Sequence, residues 1–291
     1  MWENFKHKTV RDLAWSVYSE GLLNDGLALD EAMLREEYLK FEPQLVQLDR
    51  DPKPLVDFLN TKNTRRLGHY FEQLIFFWLQ RSERYAIVAN NMPLRTNKKH
   101  TLGEVDLIVH NKHTKLYEHW ELAVKFYLAI NTGGKTTYIG PNANDYFHLK
   151  IQKLKEHQCK ILESEEGKNL LSELDIADVQ TKLLVKGFLY YHPKQTCVPW
   201  ENIHPDHARS WWIYLKEAEE FLNDSHKFAL IHKDEWLSTP ALPKKLLTKQ
   251  ECLNTLKQKL ELSPRSIYLT TYKNGIPKSS GFVVKDSWPL I

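Results

Sequence analysis

From Tyr70 to Leu79 the chain reads YFEQLIFFWL. Wound as a helix, this run is apolar almost all round, so it must be buried and cannot be a surface helix. A chain of 291 residues has enough material to bury it, in one large domain or two modest ones. One carboxylate stands in this helix. Glu72 follows Gly68 by one turn and precedes Phe76 by another. A buried carboxylate is costly unless it has a partner. Arg65 or Arg66 at the helix start could supply one, and Gly68 leaves room for something else to approach.

The surrounding elements define the layout. Val10, Leu13, Ala14 and Val17 recur at helical spacing, and Leu34, Tyr38 and Phe41 form a second helical segment before the break at DRDPKPL (49–55). YAIVANNMPLR (85–95) predicts a strand with a turn-forming Asn pair. GEVDLIVHN (103–111) alternates strictly, with Val105, Leu107 and Val109 on one face and Glu104 and Asp106 on the other. KLYEHWELAVKFYLAI (115–130) predicts a longer strand. After the loop GPNAND, a helix carries Phe147, Ile151, Leu154 and Ile161 on one stripe, and LLVKGFLYY (183–191) predicts another strand. The order helix, three strands, helix, strand implies an α/β fold, a mixed sheet flanked by helices. Farther on, RSWWIYLKEAEEFL (209–222) is expected to be helical and KFALI (227–231) a strand. Thr248 and Glu251 make a capping box for a helix to about Leu260, and SIYLTTY and GFVVK resemble a hairpin.

Within HWELAVKF (119–126), period two puts Trp120, Leu122, Val124 and Phe126 on a core face. It puts His119, Glu121, Ala123 and Lys125 on the other. Exposed alternating charges on a sheet are common, and a cross-strand pair adds only tenths of a kcal/mol. Here, however, two neighbouring strands present Glu104, Asp106 and Glu121 with Lys125 to one patch, and Glu72 adds a fourth carboxylate. Clustered carboxylates repel, so one of them takes up a proton or a cation joins them. Hard oxygen donors without Cys or His spacing suit Mg²⁺ or Mn²⁺ over Zn²⁺. Such a metal polarises a phosphoryl oxygen, and an adjacent lysine can orient a water or stabilise transition-state charge.

A helix with GxxxE, a strand with GEVDLIV, and a strand with an acid and a lysine resemble the PD-(D/E)XK nuclease superfamily. The order matches: Glu72, then Asp106, then Glu121 and Lys125. The longer string ELAVKF…GPNAND…K…HQ resembles an uncharacterised bacterial family, domain of unknown function 1853 (DUF1853), itself placed in that superfamily. The resemblance implies a restriction-endonuclease-like core over 61–195, an N-terminal helical extension over 1–60 and a C-terminal α+β extension over 196–291. It also implies Mg or Mn as cofactor, with Asp106, Glu121, Glu72 and Glu104 as ligands and Asp106, Glu121, Lys125 and Glu72 as catalytic residues. The usual third-strand pattern is acid, any residue, lysine; here Ala123 holds the acid's place and Glu121 lies two residues farther back. Glu121 and Lys125 would then converge over the gap at Ala123, or Glu121 has another role and Glu72 or Glu104 completes the site. Gln158 sits on the apolar stripe of the following helix, where similar folds turn a polar residue toward the site. Lys150 and Lys153 are candidate phosphate contacts.

Composition narrows the alternatives. The net charge of +3 permits an anionic partner without requiring one. The basic clusters RTNKKH (95–100), the lysines between 150 and 160, and PKKLLTK (243–249) are read first as solvated surface. The expected partner is nucleic acid, DNA before RNA. There is no transmembrane run and no signal-peptide pattern. Three scattered Cys (159, 197, 252) fit a reducing cytoplasm with free thiols. No Walker loop, dinucleotide fingerprint, zinc spacing or Ser–His nucleophile context is present. Three functions compete: a Mg²⁺-dependent nuclease, a non-catalytic nucleic-acid-binding module on the same fold, and an interaction protein using its aromatic C-terminal part.

Overall fold

A computed structural model describes residues 2–62, 64–97 and 100–290. Four helices come first: α1 (Lys8–Tyr18), α2 (Glu31–Arg50), α3 (Lys53–Asn60) and α4 (Leu67–Leu79). Strands β1 (Tyr85–Asn97), β2 (His100–Asn111), β3 (Leu116–Thr132) and β4 (Lys135–Ile139) follow. Helix α5 (Phe147–Glu156), a 3₁₀ segment (Gln158–Glu163) and α6 (Glu165–Glu173) lead into β5 (Gln180–Tyr191). The rest comprises β6 (Arg209–Tyr214), α7 (Ala218–Phe221), β7 (Lys227–Ile231), α8 (Lys249–Leu262), β8 (Ile267–Lys273) and β9 (Ile276–Val284). Parallel and antiparallel strand pairs with flanking helices make the fold α/β, with mixed strand pairing. Two compact units divide the chain: residues 1–124 with 150–186, and residues 125–149 with 187–291.

In the first unit β1, β2 and β3 pair antiparallel. Helix α4 is as deeply buried as its composition demands: Leu74 through Leu79 are all interior. It meets the sheet through Trp78, whose ring centroid lies 6.3 Å from that of Trp120 on β3. A second cluster forms where Val105 and Ile108 of β2 pack with Ile161, Leu162 and Leu170. Both faces of β3 are therefore covered, and Glu118 to Ala123 are all buried. An interior strand of this kind carries a nearly continuous buried run in place of one buried and one wet face. The face of HWELAVKF that carries Glu121 and Ala123 is therefore as deeply buried as the core face that carries Trp120 and Leu122. The alternation expected for β2 also breaks. Val105 and Ile108 share one cluster although they are three residues apart, so the alternation breaks between them. Across from this break Asn91 of β1 has a left-handed φ of 49°, a conformation Asn tolerates better than most residues.

In the second unit the end of β3 pairs with β4, and the end of β5 runs parallel to β6. Strand β6 is parallel to β9, and β9–β8 and β8–β7 are antiparallel. Helix α8 starts with the predicted Thr248–Glu251 capping box and packs Cys252, Leu253, Leu256 and Leu260 against Ile213, Phe228, Leu269 and Val283. The helix expected over 209–222 is instead β6 followed by short helical turns. Its aromatic residues suit a pleated surface, and tertiary pairing decides between two periods that a short apolar run cannot separate. Gly281 of β9 allows that pairing, because a Cβ there would lie 2.2 Å from the Trp211 carbonyl oxygen.

Candidate active site

The β2–β3 ladder is regular from Asn111–Leu116 to Leu107–Trp120. One step farther in the same register, Asp106 stands across from Glu121. There the ladder gives way to side-chain bonding: Asp106 Oδ2 accepts from the Leu122 backbone N–H at 2.9 Å. Like charges directly opposite on antiparallel strands are destabilising, and here both carboxyl groups are also shielded from water. Glu121 is 1% exposed. Burial, the facing Glu121 and the charge of Glu72 push the Asp106 carboxyl up to about 8, although the Leu122 N–H works the other way. Burial likewise raises Glu121 to about 8, against hydrogen bonds from Gln158 and from Asp106, with Glu72 adding to the rise. Both carboxyl groups are thus held above the ordinary carboxylate range, burial being the largest cause for each.

Three neighbours complete the arrangement. Glu72 projects from α4, its Oε2 lying 3.3 Å from His69 Nδ1 and 3.5 Å from Asn91 Nδ2. Those residues, and not Arg65 or Arg66, are its recorded partners. Gln158 opens the 3₁₀ segment after α5, and its Nε2 also lies 3.4 Å from the Glu104 carbonyl oxygen. Gly103 on β2 packs closely under this segment: a Cβ there would lie 2.4 Å from Ile161 Cδ1 and 3.4 Å from Gln158 Oε1. His119, fully buried on β3, places Nε2 2.9 Å from Glu121 Oε1 and leaves Nδ1 without a hydrogen-bond partner. Burial lowers the imidazole to about 4, despite the opposing charge of Asp106, so the ring is neutral.

Asp106, Glu121, Glu72 and Gln158 are thus brought together in the first unit. Glu104 takes part through its main chain. Lys125 lies four residues beyond Glu121 on β3, half-buried and assigned to the second unit. Lys150 and Lys153 are exposed on α5. Of the cluster 95–100, Lys98 and Lys99 lie outside the described residues. Among the described residues no group of three or more His, Cys, Asp and Glu side chains is set to hold a metal ion. Two carboxylates form the centre, and Glu72 acts on them through its charge.

A family model described as a domain of unknown function, DUF1853, matches residues 11–284. The chain belongs to the DUF1853 family. No curated protein and no solved structure matches it. In this DUF1853 protein the residues that sequence reasoning left out are His119, Asn91 and His69. His119 carried a signal, an imidazole two residues from Glu121 and hence on the same side of the strand. Asn91 had none, because its role arises from the break opposite Asp106. Of the helices described, none is long and apolar enough to cross a membrane.

Proposed function

We propose that this protein is a metal-dependent nuclease of the PD-(D/E)XK type, with a restriction-endonuclease-like core, that hydrolyses phosphodiester bonds in DNA, with RNA as the alternative substrate. One observation carries the proposal: two buried carboxyl groups stand on adjacent strands where the ladder ends, both raised first by burial, Asp106 further by the charges of Glu121 and Glu72 and Glu121 further by that of Glu72. A protein interior bears that repulsion at a cost, and a divalent cation would relieve it. Mg²⁺ or Mn²⁺ suits the donor set, since Mg²⁺ is commonly held by one or two carboxylates with waters and substrate phosphates filling the other positions. Asp106 and Glu121 would hold the cation, and Glu72 and Glu104 would be outer partners. When bound, the ion would polarise the phosphoryl oxygen and acidify a water. Gln158 donates to Glu121 and fixes one of its oxygens. Lys125 is assigned to orient the attacking water or to stabilise charge on the phosphate, and Lys150 and Lys153 to contact the backbone of the substrate.

The test is cleavage of mixed single-stranded, duplex and branched nucleic acids with Mg²⁺ or Mn²⁺, alongside calorimetry with Mn²⁺. Asp106→Ala should abolish both metal binding and cleavage, and Lys125→Ala should abolish cleavage alone. Activity unchanged in both variants would sink the assignment. A second reading, a nucleic-acid-binding module without turnover, is favoured by one feature: Glu121 Oε1 is already bonded to His119. It predicts salt-sensitive binding with no metal-dependent product.

A further inference from the structure

The second unit carries an aromatic corner that the carboxylate site does not use. Tyr146 is 41% exposed, His148 and Leu149 are exposed, and Trp200 is half-buried. The Tyr146 and His148 ring centroids are 5.8 Å apart, and those of His148 and Trp200 6.2 Å. Trp200 is held rigidly from behind. It stacks on the buried Phe147 at 5.8 Å, meets the Tyr138 ring edge-on at 4.7 Å, and donates its indole N–H to the Thr136 carbonyl at 3.0 Å. The exposed Tyr146 and His148 rings thus adjoin a ring that is firmly held.

Charge indicates what the occupant is. Lys135, the residue before Thr136, is exposed. Arg209 is also exposed, its guanidinium 5.4 Å from the centroid of Tyr191, whose ring in turn meets Tyr138. Arg209 Nη2 lies 3.4 Å from the Pro205 carbonyl oxygen, and Asp145, next to Tyr146, is taken by the Tyr127 hydroxyl at 2.8 Å. Exposed Glu201 is the one acid beside Trp200 in sequence. Exposed aromatic rings with exposed cations on neighbouring residues match a chain of phosphates and unstacked bases, because every base offers a π-face and stacking tolerates any sequence.

We infer that Tyr146, His148 and Trp200, flanked by Lys135 and Arg209, form a stacking platform for single-stranded nucleic acid. The inference rests on the nuclease reading for its substrate class, but binding at the platform requires no metal and no turnover. The test is fluorescence anisotropy of the full chain in EDTA with a labelled 20-nucleotide oligothymidylate and a 20-base-pair duplex. The Tyr146→Ala/His148→Ala double variant should bind the single strand about 10-fold more weakly, in line with the loss of one or two base-stacking contacts. Duplex affinity should move less than twofold, and circular dichroism and melting should be unchanged. Trp200→Phe, which keeps an aromatic ring on Phe147, should lose less than the double variant. Single-strand affinity unchanged in the double variant overturns the platform. So does a parallel loss for both oligonucleotides, or a wild-type protein that binds no single strand. A wild-type dimer that the double variant converts to monomer, with no oligonucleotide bound, would assign the face to a second copy and also overturn it. If the double variant loses single-strand binding while wild type shows no cleavage, the platform stands and the nuclease reading falls. Full cleavage of single strands by the double variant would sink the platform alone.

Discussion

Each unit of the molecule contains a buried histidine bonded to a glutamate, and the two pairs are opposites. In the second unit His192 Nε2 lies 2.7 Å from Glu217 Oε2, and His192 Nδ1 accepts from the Lys194 N–H at 3.2 Å. Glu217 also accepts the Tyr214 N–H at 3.0 Å. Its partial burial works upward, but the bonds from His192 and Tyr214 and the charge of Lys194 outweigh it and hold the carboxyl below the usual range. In the first unit His119 Nδ1 has no partner, and Glu121 faces a second carboxyl and sits well above the usual range. The same two residue types thus make a satisfied structural lock in one place and a strongly perturbed, buried pair in the other. Strongly perturbed groups concentrate at functional sites.

Removing the negative charge from each pair should separate them most widely in activity. Glu121→Gln should cut metal-dependent cleavage by about 100-fold or more, the usual scale for a directly acting electrostatic group, with the fold intact. Glu217→Gln should leave initial rates within twofold. Equal losses in the two variants would break the contrast. Next in size is the effect of pH on the metal-free protein. Asp106 and Glu121 start from ordinary values of 3.8 and 4.5 and are raised in the folded state to about 8. Between about pH 4 and pH 8 the folded chain therefore binds more protons than the unfolded chain, so stability falls as pH rises across that window and levels off above it. Urea unfolding in EDTA should show this decline, on the order of a few kcal/mol over the window. The Asp106→Asn/Glu121→Gln variant should lose most of it. A wild-type slope that matches the variant's would remove the repulsion from the account.

The contrast between the pairs also marks what the sequence discloses. The buried α4, the strands around Asp106 and Glu121, and the Thr248–Glu251 cap were legible because each repeats a local rule of period or capping. Glu72, Asp106 and Glu121 were legible as types and spacings. What was hidden depends on partners distant in sequence. β6 is a strand because β5 and β9 pair with it, while its own apolar run fits two periods. β3 is covered on both faces by elements that no property of HWELAVKF announces. The break in the alternation of β2 lies across from Asn91 with its positive φ, more than ten positions earlier in the chain. The passage from one compact unit to the other falls at Lys125 and again at Gly187, inside strands, where composition offers no linker to notice. Gly187 has a φ of 139°, and a Cβ there would lie 1.8 Å from the Lys125 carbonyl oxygen, so close approach of two backbones fixes its identity.

The smaller effects belong to the satisfied pair. Glu217→Gln keeps the shape and an acceptor oxygen but removes the charge that strengthens the bonds from His192 and Tyr214, and it should lower stability by about 1 kcal/mol at neutral pH. The acid side of the pH profile then gives the finest discrimination. Glu217 has a depressed folded-state value, so its contribution is complete above its ordinary 4.5 and is lost as pH falls through the lower folded value. The stability difference between wild type and Glu217→Gln should therefore stay constant from pH 6 to 8 and shrink below about pH 4.5. For the difference between wild type and Asp106→Asn/Glu121→Gln the change lies at the other end, between about pH 4 and 8, with the wild type losing ground as pH rises. Two histidine–glutamate pairs in one chain would then answer the same titration with opposite signs. A Glu217→Gln difference that grew on acidification would show that its carboxyl is not held by the bonds assigned to it.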